Sequence, residues 1–440
     1  MTRRCDLFLY FLLFFVSFEA HSAANKNHSR QDVCQAFRAR ALKDHAFMRV
    51  PVPVDYDKPE LGYTWIYTWT NRKFRTDWKT LVFVSGGPGN HDHDSRLNLS
   101  NWNLIFFDQR GIACSKLNNE AQNLDKESYS SKHTARDIEE IRKAYGMNKI
   151  SLYAVSYGTV PATIYASLYA DHTRSLVLEG TVAVGGEQLI GPDRRRVLLQ
   201  NFFEGLPKAT QDRILELSSK PDIPRNWFSV VGMLMLYLDN GYEAYQAFLE
   251  NVLSDDQIAK DLIGTVIYQK SLKDNSDDNG LLVSAMLGCQ ELGMNLTNVS
   301  SYFVFRGRTL VPDTVNHMNS MCVPLGFPLD IKTKLYDSSA YPVRVPVYYI
   351  QGAKDGATVI DHAYQHAYQT TQSRAYLLIA EQGGHQPLSG DLVSGYADKA
   401  KMSAKQTLLA KILDGLSLQG GDLRSLEKNA PLKWRVVIKE

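Results

Sequence analysis

Three residues that lie far apart in the chain have the types and the order that nucleophilic hydrolysis needs. Ser156 stands in Ala154-Val155-Ser156-Tyr157-Gly158, Asp355 in Gln351-Gly352-Ala353-Lys354-Asp355-Gly356, and His385 closes Gly383-Gly384-His385. A serine hydroxyl becomes a nucleophile when a histidine takes its proton. A carboxylate then holds the imidazole in the right tautomer and stabilises its cationic form. Small residues two positions either side of the serine suit a sharp strand-to-helix turn, where the backbone is crowded. Gly158 meets that need on one side, and Ala154 replaces the usual glycine on the other. Gly86-Gly87-Pro88-Gly89 adds a fourth part. The amides of Gly86 and Gly87, with that of Tyr157, are candidates for an oxyanion hole, because glycines let backbone N–H groups approach a substrate carbonyl.

Each group must be held by something rigid. The serine follows the apolar run Ile150 to Val155, the aspartate follows Val345 to Ile350, and the histidine comes just past Ala375 to Ile379. Thr80 to Val84 runs straight into the glycine loop, and Leu104 to Phe107 ends at Asp108-Gln109-Arg110-Gly111. Short apolar runs bounded by turn residues read as buried parallel strands, and in open α/β sheets reactive groups gather at the strands' carboxyl ends. Val50 to Val54, Tyr63 to Thr70 and Ser175 to Leu178 read as further strands. A helix is predicted to begin with a capping pattern at Thr134 and Asp137 and to stop at Gly146. After Gly180 the β-rich runs give way to helical spacing, as in Trp227 to Tyr245, and a helical tail is expected over Ala397 to Leu413. The expected organisation is an α/β sheet domain over 25–180 and 341–440, interrupted by a mainly helical cap over 181–340.

A net charge of +2 gives no reason to expect nucleic acid or an anionic membrane as partner. Arg3 and Arg4, the apolar run Leu7 to Phe18, and the small residues Ala20, Ser22, Ala23 and Ala24 together read as a secretory signal peptide over 1–24. The expectation is a secreted or periplasmic chain with no stable membrane association after cleavage. Cys5 precedes the apolar run; of the other cysteines, Cys289 with Cys322 is the favoured bridge, leaving Cys34 with Cys114. His91-Asp92-His93-Asp94 reads as a polar loop, since adjacent residues rarely converge on a metal. No metal and no organic cofactor is expected.

With these motifs laid out, the chain resembles the proline iminopeptidase and tripeptidyl aminopeptidase family of α/β-hydrolase serine exopeptidases. The resemblance rests on Gly86-Gly87-Pro88-Gly89, Asp108-Gln109-Arg110-Gly111, the Asp137-Ile138-Glu139 helix and Val155-Ser156-Tyr157-Gly158-Thr159. Ser85 stands where many members have His, Ile112-Ala113-Cys114-Ser115 replaces a more glycine-rich stretch, and Val359 stands where a proline is common. The resemblance implies an α/β-hydrolase fold with a helical cap and triad roles for Ser156, Asp355 and His385. It also implies peptide substrates with a free N-terminus, whose amine is met by an acidic cap residue. Glu291, in Cys289-Gln290-Glu291, is the first candidate, with Glu187 and Glu204 as alternatives. Rival readings are an esterase or amidase without amine recognition, and a silent binding protein of the same fold; the intact triad speaks against the latter.

Overall fold

Runs rich in Val, Ile, Leu and aromatic residues form strands here, and the helices between them cover both faces. The structure is a computed structural model of the 440-residue chain. It describes residues 47–91, 97–115, 126–186, 189, 192–224, 227–235, 237–238, 241–264, 278–294, 303–305, 308–310, 322–329, 335–389, 399–414 and 433–439. The chain begins with a hairpin of β1 (Phe47–Pro53) and β2 (Tyr63–Thr70), paired antiparallel with Val50 opposite Ile66. β3 (Lys79–Val84), β4 (Trp102–Phe107), α1 (Ser131–Ala144), β5 (Ile150–Val155), α2 (Thr159–Leu168) and β6 (Thr173–Glu179) follow. Helices α3 (Pro192–Gly205), α4 (Lys208–Leu217), α5 (Trp227–Met235), α6 (Gly241–Val252) and α7 (Asp278–Gln290) come next. A small hairpin of β7 (Phe303–Phe305) and β8 (Arg308–Leu310) precedes β9 (Val347–Gly352), α8 (Ile360–Gln365), β10 (Ala375–Ala380), α9 (Lys399–Leu413) and β11 (Trp434–Lys439).

The nine-stranded sheet has the order β1-β2-β4-β3-β5-β6-β9-β10-β11. From β4 to β10 neighbouring strands run parallel, with an antiparallel hairpin at one edge and antiparallel β11 at the other. β4, β5 and β9 are buried at every position, as strands with both faces covered must be. Alternate residues serve opposite faces. Val82, Val84, Leu152 and Ala154 pack with Ile138, Ile141, Val160 and Ile164 of α1 and α2. Leu81, Phe83, Tyr153 and Val155 share the other face with Leu408, Leu409 and Ile412 of α9. Helices α3 to α6 close around a third core of their own, with Phe203, Trp227, Phe228 and Tyr245 at its centre. α7 does not join them: Val283, Met286 and Leu287 pack into the core beneath the sheet.

Two expectations need correction. The cap of α1 is Ser130, whose Oγ accepts from the His133 amide, one turn before Thr134. Asp137 is not free to cap, because Arg110 holds it. The helical spacing of Trp227 to Tyr245 is met by α5 and the start of α6, but β7–β8 places a hairpin in a region read as free of β-rich runs. Strand β11 was not expected at all. Its Arg435 and Lys439 suit an edge that solvent reaches, and they dilute the apolar pattern that marks a buried strand.

Candidate active site

Ser156 sits at the end of β5 with φ of 54°, in the left-handed region that a non-glycine residue adopts at a cost of roughly 1–2 kcal/mol. The turn Ser156–Gly158 then enters α2. Gly158 is required there, because a Cβ on it would lie 2.4 Å from the Val84 carbonyl oxygen. Such a strained strand-to-helix turn lifts a serine side chain clear of the sheet. The Gly86 backbone lies directly against it: a Cβ at Gly86 would stand 3.0 Å from Ser156 Cβ and 3.7 Å from its Oγ. That loop is pinned from below. Gln109 Nε2 donates to the Ser85 carbonyl at 2.9 Å, and Gln109 is buried.

The rest of the Asp-Gln-Arg-Gly motif is also structural. Asp108 accepts from the Cys114 amide at 3.0 Å. Arg110 is fully buried and forks onto Asp137 at 2.8 and 2.6 Å, with further bonds to the Val54 and Ser128 carbonyls. Such a pair is held in place by geometry that leaves no donor idle.

Asp355 and His385 meet. His385 Nδ1 lies 2.9 Å from Asp355 Oδ2, and both residues are buried. The carboxylate is oriented by the amides of Ala357 and Thr358 on one oxygen and by Thr358 Oγ1 and Gln351 Nε2 on the other. With Nδ1 facing the acid, Nε2 is the ring nitrogen that remains for proton transfer. Gly180, just past β6, has φ of 60° and lies beneath the imidazole; a Cβ there would be 2.9 Å from His385 Cε1. Tyr237, between α5 and α6, also meets His385. Its carbonyl accepts from the His385 amide at 3.2 Å, and its ring meets the imidazole edge-on with centroids 5.1 Å apart. Tyr237 was not foreseen, and nothing local in the sequence marks it.

A second set of the same residue types shows why type alone is not enough. Ser130 Oγ, His133 and Asp55 are linked at 2.7 and 3.0 Å, but Ser130 Oγ is spent on capping α1.

The acidic candidates fare differently. Glu291 lies just beyond α7 and is buried; one carboxylate oxygen accepts from the Ser131 amide at 2.9 Å, and the other from Ser131 Oγ. Ser131 Oγ is in turn 2.9 Å from the Tyr157 hydroxyl, so this acid reaches the residue that follows Ser156 through one side chain. Burial pushes the Glu291 carboxyl above its ordinary pKa, against the two Ser131 bonds. Glu204 is exposed and takes a bond from Gln200 at 2.7 Å. Glu187 lies outside the described residues, as do Asp92, His93 and Asp94.

The family model described as alpha/beta hydrolase fold matches residues 79–211, the stretch that carries the glycine loop, Ser156 and the strands beneath them. The chain has the α/β-hydrolase fold. It is 36% identical over 105 residues to a proline iminopeptidase of Saccharolobus solfataricus, covering 23% of this chain and 32% of that one. It is 40% identical over 86 residues to a tripeptidyl aminopeptidase of Streptomyces lividans, covering 18% of this chain and 14% of that one. The matched stretches thus span about a third or less of these relatives' own length. The crystal structure of a proline iminopeptidase from Mycobacterium smegmatis superposes with a TM-score of 0.47 at 13% identity, covering 86% of this chain and all of that one. The likeness to proline iminopeptidases and tripeptidyl aminopeptidases read from the motifs is borne out. Cys289 and Cys322 form a disulfide, and Cys114 is disulfide-bonded as well, while Cys34 lies outside the described residues. No helix among the described residues is long and apolar enough to cross a membrane.

Proposed function

We propose that the chain is a serine aminopeptidase that removes a residue, or a short peptide, from the N-terminus of peptides. The observation that carries this reading is the buried His385–Asp355 pair at 2.9 Å, which follows strands of the same parallel sheet whose β5 ends in a serine on a strained turn. His385 takes the Ser156 proton as Oγ attacks the scissile carbonyl. The amides of Tyr157 and of the Gly86-Gly87 loop steady the oxyanion, and the imidazolium gives its proton to the leaving amine. Water activated by the same histidine then releases the acyl group. Glu291 is the acid we assign to the substrate amine. A carboxylate offers about four acceptor sites and Ser131 fills two, so a desolvated ammonium can still be paired there. Disulfides persist in oxidising compartments, which supports a secreted or periplasmic location together with the basic and apolar start of the chain.

The test is hydrolysis of matched Pro-, Ala- and tripeptidyl-amide reporters, free and N-acetylated, beside a simple ester and a Ser156→Ala control. Cleavage confined to free-amine peptides and abolished in the control is the expected result, with KM raised by Glu291→Gln. Equal turnover of acetylated peptides, or of the ester alone, would reduce the reading to a general serine hydrolase.

A further inference from the structure

Glu179 is the last residue of β6, fully buried, and used by none of the steps above. Its carboxylate is nevertheless saturated with donors from two directions. One oxygen accepts from the amides of Leu388 at 2.6 Å and Ser389 at 3.0 Å; the other accepts from the Ser389 amide at 3.0 Å and the Tyr153 hydroxyl at 2.6 Å. Tyr153 is fully buried on β5, the strand that ends at Ser156, and Leu388 and Ser389 lie in the loop that carries His385. The residue after Glu179 is Gly180, against which the His385 ring rests. One carboxylate therefore ties the strand of the nucleophile to the loop of the base, at the point where the imidazole is seated. We propose that Glu179, supported by Tyr153, is a positioning residue that sets the place of His385 relative to Ser156.

The chemistry of the site explains why an acid is used. Burial pushes the Glu179 carboxyl up from its ordinary pKa, so the group stands at a cost that an apolar residue would avoid. An apolar residue would leave the two loop amides without acceptors in a dry interior. Glutamine has the same shape but one acceptor oxygen, so its NH2 must face a donor. Aspartate is a methylene shorter and cannot span from β6 to both partners. His385 is also held by Asp355 on its imidazole and by the Tyr237 carbonyl on its amide, and the Gly383 carbonyl accepts from the Lys354 amide. None of these three bonds comes from the strand that carries Ser156.

This inference rests on the serine-hydrolase reading, and its test separates the two. Glu179→Gln and Tyr153→Phe are made in the intact chain. Three quantities are measured: the melting temperature, the steady-state constants on the reporter that works best, and the rate at which a fluorophosphonate modifies Ser156. A displacement of His385 approaching 1 Å lowers kcat and the modification rate of Glu179→Gln together by about 10–100-fold, with KM within about twofold. Tyr153→Phe removes one donor and keeps the ring, and lowers kcat by about fivefold. A folded Glu179→Gln protein with unchanged kcat overturns the proposal, and so does a loss confined to KM or to melting temperature. Should that variant fail to fold, an unchanged kcat in Tyr153→Phe overturns it alone. Absence of modification in the wild type overturns the clamp and the serine-hydrolase reading together.

Discussion

Gly180 and Gly146 allow backbone strain to be separated from contact with the imidazole. Their φ values are 60° and 67°, so an alanine at either adopts the left-handed conformation at roughly 1–2 kcal/mol. Around Gly146, at the end of α1, there is nothing within 4 Å for the new methyl to meet. At Gly180 the methyl would lie 2.9 Å from His385 Cε1, 3.1 Å from Nδ1 and 3.1 Å from the His385 carbonyl oxygen. Ordinary carbon contacts lie at about 3.5–4.0 Å, so the ring must retreat by roughly 0.6–1 Å. It cannot do so and keep the 2.9 Å bond to Asp355. Misplacement on that scale costs about 100-fold in rate. Gly146→Ala should therefore melt a few degrees lower, and Gly180→Ala lower still, since the overlap adds roughly 1–3 kcal/mol to the backbone cost. Gly146→Ala should keep wild-type kcat, while Gly180→Ala should lose about 10–100-fold with KM little changed. The assay is reporter hydrolysis on both purified variants, normalised to titrated active sites. Equal kcat in the two alanine variants would show that Gly180 is present for its backbone alone.

Three further outcomes are expected. Burial pushes the His366 imidazole down to about 3, between Thr163 Oγ1 and the Tyr349 hydroxyl, from an ordinary 6.5. Its contribution is fully present above pH 6.5 and is lost toward pH 3, because the unfolded chain takes a proton that the folded one refuses. Urea denaturation should show wild type losing about 1.4 kcal/mol per pH unit in that window relative to His366→Gln; parallel curves would contradict this. Arg110→Met strands the buried Asp137 and should cost about 3–5 kcal/mol, most of it recovered by adding Asp137→Leu, as a thermal double-mutant cycle would show. Replacing Cys289 and Cys322 by serine opens a loop closed across a separation of 33 residues and should cost about 3–4 kcal/mol. That loss should vanish when both proteins are compared in reductant.

Much of this was legible because the sheet is covered on both faces. A strand such as Leu104 to Phe107 must then be apolar throughout and bounded by turn residues, which makes it visible without any knowledge of its neighbours. Because the strands are parallel, the groups at their carboxyl ends share one rim, so Ser156, Asp355 and His385 could be selected together. Residues whose role depends on a distant partner were not legible. Glu179 looks like any acid at a strand end until Leu388 and Ser389 arrive from the far side of the insertion. Gln109 entered the reading only as part of a motif; its bond to Ser85 shows what that motif holds. Ser130 and Thr134 both satisfy the chemistry of a helix cap, and only the ion pair that consumes Asp137 decides between them. β11 failed as a pattern for the opposite reason to β4, since an edge strand can carry charge.

The seating of α7 limits how this architecture can be rearranged. α3 to α6 share a core of their own, so a graft that exchanges them for another lid must match the chain ends near Pro192 and Ile263 and replace the turn, at Tyr237, that meets His385. α7 is not part of that exchangeable unit. Val283, Met286 and Leu287 are foundation stones of the sheet's own interior, and Glu291 at the end of the same helix grips the first turn of α1. A chimera cut at the far side of α7 would import a stranger's helix into the host's foundations and collapse there. One cut before Asp278 would keep the sheet's interior intact and have the Tyr237 contact to His385 to rebuild.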